Sequence, residues 1–512
     1  MVLKLLGVPF AMATQHPDSA SRRITAEGEV EEAVNDLLPL SRGGYGCDEK
    51  MVDYEGKLTP YHQPQWIVEA LARVGLRPGH DYLITPRIPA ERLESGERQV
   101  MVIWSGLVAN KHSLPLGGQA VKYMVHPMTG TSRELVAVQR RITKLEKFAE
   151  EELGLRLEEP IKIIPLVEDV VRHFHVDRLM NGLHYNVSRT EGLLYDSYRI
   201  LLGKSDAALS FGHLASTISL IAAISRLHEW GFRMKVRVYP ILGVGKPPFR
   251  GHLSPETVDV FIDQYSGYST VTIQSALRFD TPRKLYTSTL EKIAGGVGGE
   301  PRRIPADLEA VLAEAARHAA AEYLRFLLRA SDRIVEVARL VPSKRDRMPM
   351  DAYSRDVSDA IAFTLDKPLL ALGRSRIPLP RAIKFTAACY TMGIPPALIG
   401  LGRGLKRIKE RMGSRVVEEV LELAPLLRLD VEFEAAHMLP ELAKTYLPEP
   451  LVEDYMEDAR LAADILGVGE AEQPPEEYYE TLWRIRECIK EGPCPKIGSL
   501  IDEAGSMRGF LG

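Results

Sequence analysis

Cysteine is scarce in this chain. Its 512 residues carry four, at Cys47, Cys389, Cys488 and Cys494. Four thiols over such a length make no disulfide framework, and none shows the paired spacing of a metal cluster, so a reducing, cytoplasmic interior is expected. An excess of one charge is also lacking. Against 65 lysines and arginines stand 69 aspartates and glutamates, a net charge of −4. Such a balance gives no global pull towards nucleic acid or anionic lipid, and neither is expected as a partner. No apolar run approaches the ~20 residues that span a bilayer. The opening stretch MVLKLLGVPFAMA imitates a secretory leader, but its apolar run is about six residues, short of the usual h-region, so export is not expected. Internal repeats and low-complexity tracts are absent as well, which argues against a solenoid or a disordered chain.

What remains is an ordinary globular composition, 45% hydrophobic and 26% charged. The length suggests roughly three domains, but α/β barrels run to about 250 residues or more as one. Apolar, β-branched stretches alternate with helical periodicity. GYGCDEKMVDYEGK holds a short strand and an acid cluster, Asp48, Glu49, Asp53 and Glu55. DYLITPRIP reads as a strand ending at Arg87, and RQVMVIWSGLVA as the next. IKIIPLVED ends in Glu168 and Asp169, YRILLGKSDAA in Lys204, Ser205 and Asp206, and STVTIQSALRFD near Gln274 and Arg278. The most informative stretch, RVYPILGVGKPPFRGHLSP from Arg237 to Pro255, is a strand that breaks into a glycine- and proline-rich loop with Lys246, Arg250 and His252. Pro247-Pro248 forbids a helix there, and such a loop suits an anion; a surface loop basic by chance is the alternative. This βα alternation implies a parallel sheet. A barrel and an open α/β sheet both meet that description, and from about residue 404 the chain reads as mostly helical.

In such folds chemistry collects at the carboxyl ends of strands. Glu168 and Asp206 end two apolar strands and, in a barrel, would share one mouth; their oxygens suit Mg²⁺ or Mn²⁺. Asp206 could instead cap the following helix. Arg87, Arg250, Arg374, Arg376 and Arg381 suit an anionic substrate, since guanidinium forks match carboxylate and phosphate oxygens in pairs; solvation at the surface is the other reading. His16 could serve as general acid or base, or be a satisfied loop histidine. The run HFHVD, with His173, His175 and Asp177, is read as helix surface rather than a metal cluster. GRGLKRIKERM is read as a solvated helix face.

Together these segments resemble the phosphoenolpyruvate carboxylase family, in its short archaeal-type branch. TQHPDS resembles its T-x-H-P segment, IPLVED its I-P-L-x-E strand end and GKSDAA its G-x-S-D-S-A. GVGKPPFRG resembles its glycine-rich arginine loop, VTIQSALRF its V-T-x-Q-G-E-x-x-R-F, and PRAIKFTAACYTMGIPPALIGLGRGL and GSMRGFLG its two C-terminal segments. The matches run in order from residue 14 to 512. The resemblance implies His16, Arg250 and Arg87 as catalytic residues, Glu168 and Asp206 as metal ligands, and Arg381, Arg374 or Arg376, and Gln274 near the substrate. It implies a TIM-like (β/α)8 barrel with extensive additional helices, mainly C-terminal, forming one catalytic domain over 1–512, and a cytoplasmic homotetramer using phosphoenolpyruvate and bicarbonate with Mg²⁺ or Mn²⁺, and producing oxaloacetate and phosphate. There are departures. Val244 and Leu209 stand where larger members carry an arginine and a lysine, and Lys246 and Lys204 are the expected substitutes. Another metal-dependent lyase barrel, or an anion-binding protein with a decayed site, are the competing readings.

Overall fold

The computed structural model describes residues 7–193, 195–346, 357–371, 379–469 and 471–512. Eight strands close into one barrel in sequence order, each paired parallel to the next and β8 to β1. They are β1 (Ala11–Ala13), β2 (Glu49–Asp53), β3 (Leu83–Arg87), β4 (Tyr123–His126), β5 (Lys162–Val167), β6 (Ser197–Gly203), β7 (Arg237–Gly243) and β8 (Thr270–Ile273). This is a TIM-like (β/α)8 barrel wrapped in helices, and from Leu401 to Arg508 the described secondary structure is helical.

The alternation of side chains along each strand builds the barrel interior in layers. At the bottom, Arg199 donates to both oxygens of Glu49 at 2.8 and 2.7 Å and to the Thr270 hydroxyl at 3.2 Å. Pairing these buried charges avoids the cost of leaving either one bare. Above them lies an apolar cluster of Met12, Met51, Val125, Ile164, Leu166, Leu201 and Ile241. Full burial of each such side chain stabilises by about 1.5–3 kcal/mol. The next step up reaches Asp53, Arg87, Gly203 and Gly243, where the barrel opens. The register pairs Gly203 with Gly243, so two neighbouring strands carry no side chain at the mouth.

Three details differ from the sequence reading. RQVMVIWSGLVA is not a strand; it lies in the helix Gly96–Ser113, whose N-terminus is capped by the Ser95 hydroxyl accepting from the Arg98 amide at 3.2 Å. Its buried positions Gln99, Val102, Ile103, Leu107 and Asn110 follow helical spacing. Strands β1 and β4 are only three and four residues long, too short to give a period. His173 is not at the surface. It is fully buried, with Nδ1 3.1 Å from the Ser219 hydroxyl and Nε2 3.1 Å from the Val167 carbonyl. Asp177 pairs with Arg226 at 2.9 Å, and of the three only His175 is exposed.

Outside the barrel, the helices His213–Met234 and Ala306–Ala338 pack together, and Leu401–Met412 packs on the second. Close approach explains Gly404, where a Cβ would stand 3.2 Å from the Cα of Ala319. No single described helix is long and apolar enough to cross a membrane.

Candidate active site

A cavity of about 150 Å³ opens at the carboxyl ends of the strands. Glu168 follows β5 directly and Asp206 follows β6 in the first turn of the helix Ser205–Phe211. Both line the cavity. The absence of a side chain at Gly203 matters here, because a Cβ would come within 3.0 Å of the Glu168 Cγ. The Glu168 Oε2 also accepts from the Met128 amide at 3.1 Å.

Arg250 enters from the loop after β7. That loop is closed by its own backbone: the Gly245 amide donates to the Arg250 carbonyl at 2.8 Å and the Leu253 amide to the Gly245 carbonyl at 3.0 Å. The buried guanidinium donates to the Ser205 hydroxyl at 3.1 Å, to the Gln274 Oε1 at 2.5 Å and to the Gly512 carbonyl at 2.5 Å. Gln274, at the end of β8, thus orients Arg250 and lines the cavity itself. Arg87, at the end of β3, grips Asp53 with two hydrogen bonds of 2.8 and 2.6 Å. Burial alone would raise the Asp53 pKa, but Arg87 and Lys57 outweigh it and hold the carboxyl well below its usual range. Arg381 precedes the helix Ala382–Thr391, which roofs one side of the mouth, and stands 3.4 Å from Glu55.

His16 sits behind this wall, while its neighbours Gln15 and Pro17 line the cavity. Its Nε2 lies 2.6 Å from the Arg22 carbonyl, which makes that nitrogen the donor. Burial is the main reason its pKa falls to about 3, despite the opposing effect of Asp18. The ring is therefore neutral at physiological pH, and its buried Nδ1 has no hydrogen-bond partner.

Lys204 and Lys246 do not reach the cavity, contrary to the role expected of them. The Lys204 ammonium turns into the packing and donates to the Ser216 hydroxyl at 2.5 Å and the His213 carbonyl at 3.1 Å. Lys246 donates to the Thr281 hydroxyl at 3.2 Å and the Asp280 carbonyl at 3.4 Å. Chain proximity to a strand end does not fix the direction of a long side chain. Arg374 and Arg376 lie outside the described residues. The structure adds cavity residues to which the sequence reading gave no role: Lys57, Asp53, Gln15 and Ser205. The signal for the first two was present in DYEGK, a strand end followed by a turn, but its acids disguised the lysine.

Comparison with known proteins agrees with this arrangement. The family described as phosphoenolpyruvate carboxylase matches residues 8–512. The chain is 37% identical to the phosphoenolpyruvate carboxylase of Thermofilum pendens over 98% of its own length and 99% of that protein's. It is 36% identical to the one from Pyrobaculum arsenaticum, over 99% and 100% of the two chains. To that of Methanosarcina mazei it is 34% identical, over 98% and 99%. Matches of this extent leave no part of the barrel or its helical surround unaccounted for, and the chain belongs to the phosphoenolpyruvate carboxylase family.

Proposed function

We propose that this chain carboxylates phosphoenolpyruvate with bicarbonate, irreversibly giving oxaloacetate and phosphate and so replenishing four-carbon acids. The observation that carries the reading is the convergence of three guanidinium groups, Arg87, Arg250 and Arg381, with Glu168 and Asp206 in one cavity. Two anionic substrates need such a concentration of fixed cations. Glu168 and Asp206 fit a divalent ion, Mg²⁺ or Mn²⁺. They are hard oxygen donors on adjacent strands, and no described cluster offers three or more ligating side chains. Two ligands leave coordination positions for water and substrate. When bound, the cation supplies Lewis-acid stabilisation of negative charge on phosphate and enolate oxygens.

Bicarbonate oxygen attacks phosphorus, the bond to the enol oxygen breaks, and carboxyphosphate and the enolate of pyruvate result. Arg87 and Arg381 stabilise charge at the reacting oxyanions, while Arg250, fixed by Ser205 and Gln274, holds the phosphate as carboxyphosphate splits to CO₂ and phosphate. The enolate carbon then bonds to CO₂. A proton arriving first would waste the enolate as pyruvate. His16, read as the base for carboxyphosphate on the family resemblance, suits that demand: it is neutral with its Nε2 hydrogen committed to Arg22, and from behind the cavity wall it has no proton to give the enolate. The active form is read as a cytoplasmic homotetramer with the chain as one catalytic unit, on the family resemblance.

The test is an assay for oxaloacetate and phosphate from phosphoenolpyruvate and bicarbonate, with Mg²⁺ or Mn²⁺ and with EDTA. Equimolar, metal-dependent products are expected. A folded protein that forms neither, or that forms oxaloacetate without bicarbonate, overturns the reading.

A further inference from the structure

The guanidinium of Arg345 is buried, although its segment, PSKRD, follows the long helix Ala306–Ala338 outside the eight strands. It is ion-paired with Glu29, the first residue of the helix Glu29–Leu37, and its Nη2 donates to the Thr59 hydroxyl at 2.6 Å. That hydroxyl in turn donates to the Asp53 carbonyl at 2.6 Å. On the other side, the Glu29 carboxylate accepts from the Gln15 Nε2 at 3.2 Å, and the Gln15 Oε1 accepts from the Asp53 backbone amide at 2.8 Å. Asp53, Gln15, Glu29, Arg345 and Thr59 thus close a ring, and all five are buried. The two ends of Gln15 cannot be exchanged, since its oxygen faces an N–H and its nitrogen a carboxylate.

The ring sits where the sheet runs out. Strand β1 pairs with β2 only as far as Lys50. The Asp53 amide and carbonyl lie beyond that ladder, and side chains supply both of their partners. On the opposite edge Asp53 is in register with Arg87, and the Tyr54 amide donates to the Arg87 carbonyl at 3.1 Å. The Asp53 carboxylate holds the Arg87 guanidinium with bonds of 2.8 and 2.6 Å, and it is also ion-paired with Lys57. So the ring fixes the backbone of Asp53, and the side chain of Asp53 fixes Arg87 at the cavity. A guanidinium suits the far side of such a ring. Its planar fork meets a carboxylate with one arm and a hydroxyl with the other, and so transmits direction as well as charge. The simpler alternative is that Arg345 only neutralises Glu29.

We propose that Arg345 is a positioning residue for Arg87: it completes the ring that fixes the Asp53 backbone, and so determines where the Arg87 guanidinium stands as charge develops on the reacting oxyanion. The bond to Thr59 is required, and a cation beside Glu29 is not sufficient. The inference rests on the carboxylase reading above. Wild-type protein without bicarbonate-dependent oxaloacetate overturns that reading and this inference together; an active wild type leaves the inference to the variants.

The test is steady-state kinetics of the whole chain, with each variant assayed below its melting temperature. Arg345→Lys keeps a cation beside Glu29 and loses the second arm of the fork. Its kcat should fall about tenfold, with KM for phosphoenolpyruvate and for bicarbonate within about twofold. Thr59→Val removes the hydroxyl between Arg345 and Asp53 and should lower kcat to the same extent. Thr59→Ser restores that hydroxyl and should recover about half of the activity or more, a rescue expected of a link in the ring. In an Arg87→Ala background, Thr59→Val should cost less than about twofold further, because the group it positions is gone. If Arg345→Lys does not fold, the Thr59 series decides. A kcat within about twofold of wild type in folded Arg345→Lys or in Thr59→Val overturns the proposal. So does a rise in KM with kcat unchanged, or a further loss of about tenfold in the Arg87→Ala background.

Discussion

The Val244 backbone is bonded on both sides to one hydroxyl: its amide donates to Thr272 at 3.0 Å, and its carbonyl accepts from it at 2.9 Å. Its side chain is closed in from above, where a Cβ on Gly251 would come within 2.8 Å of the Val244 Cβ. An arginine cannot be restored there without burying an unpaired charge. Val244→Arg should therefore destabilise by about 3–5 kcal/mol, read as a lower midpoint in urea, and should not raise activity. Arg250→Ala tests the opposite case, a buried charge that lines the cavity. Besides binding Ser205, Gln274 and Gly512, it neutralises the buried Asp18 carboxylate at 3.5 Å, so the variant should lose some stability while oxaloacetate formation falls by about 10²–10³-fold. Many side chains were legible at this scale because they sit where a strand stops: Glu168, Asp206, Arg87, Arg250 and Gln274 all announce themselves by position. Lys57 did not, since it lies four residues beyond its strand among acids. Lys204 misled, since an aliphatic stem of four carbons reaches either way from the same Cα.

Among the elements, the helix Leu426–Ala436 binds two of the mouth's supports together. Its Asp430 accepts from His213 Nε2 and from His252 Nδ1, each at 2.7 Å. Burial opposes the Asp430 charge, but the two histidines prevail and bring its pKa down to about 2. His252 closes the Arg250 loop with a φ of 55°, a conformation that costs a non-glycine residue about 1–3 kcal/mol and needs a fixed partner. Asp430→Ala should release the loop. We expect a lower melting temperature and a fall in kcat larger than any rise in KM. The short helix Val170–His173 has a comparable peg in His173, which joins β5 to the helix His213–Met234. Burial, the main influence, lowers its pKa to about 4. The folded protein then refuses a proton that the unfolded chain accepts near pH 6.5. The stability His173 confers is complete above about pH 6.5 and declines as pH falls towards 4. The difference in melting temperature between wild type and His173→Asn should accordingly shrink over that interval. None of these cross-element bonds could be read from the sequence, because a histidine and its carboxylate can be more than a hundred residues apart. The helix Gly96–Ser113 escaped for a different reason: its apolar run RQVMVIWSGLVA looks like a buried strand unless the Ser95 cap is recognised.

For the whole molecule, eight parallel strands with helices between them were legible as a class, since their alternation depends only on local pattern. Closure was expected from the family resemblance and not from local pattern, for β1 is three residues long. Yet closure depends on it. The Thr14 amide donates to the Ile273 carbonyl at 3.1 Å just beyond the paired segment. Thr14→Pro removes that donor at a seam that has few others, and should cost about 3 kcal/mol or send the protein into aggregates on expression.

The same seam sets a timetable. Ala11 pairs with Val271. A ribosome adding roughly 5–20 residues per second needs about 15–50 s to deliver that partner. For this interval the nascent chain carries an open sheet edge, with Glu49 waiting for Arg199 and Asp430 not yet made. Biosynthesis of this barrel is therefore the stage at which a cell holding many copies depends most on chaperones shielding an unfinished sheet.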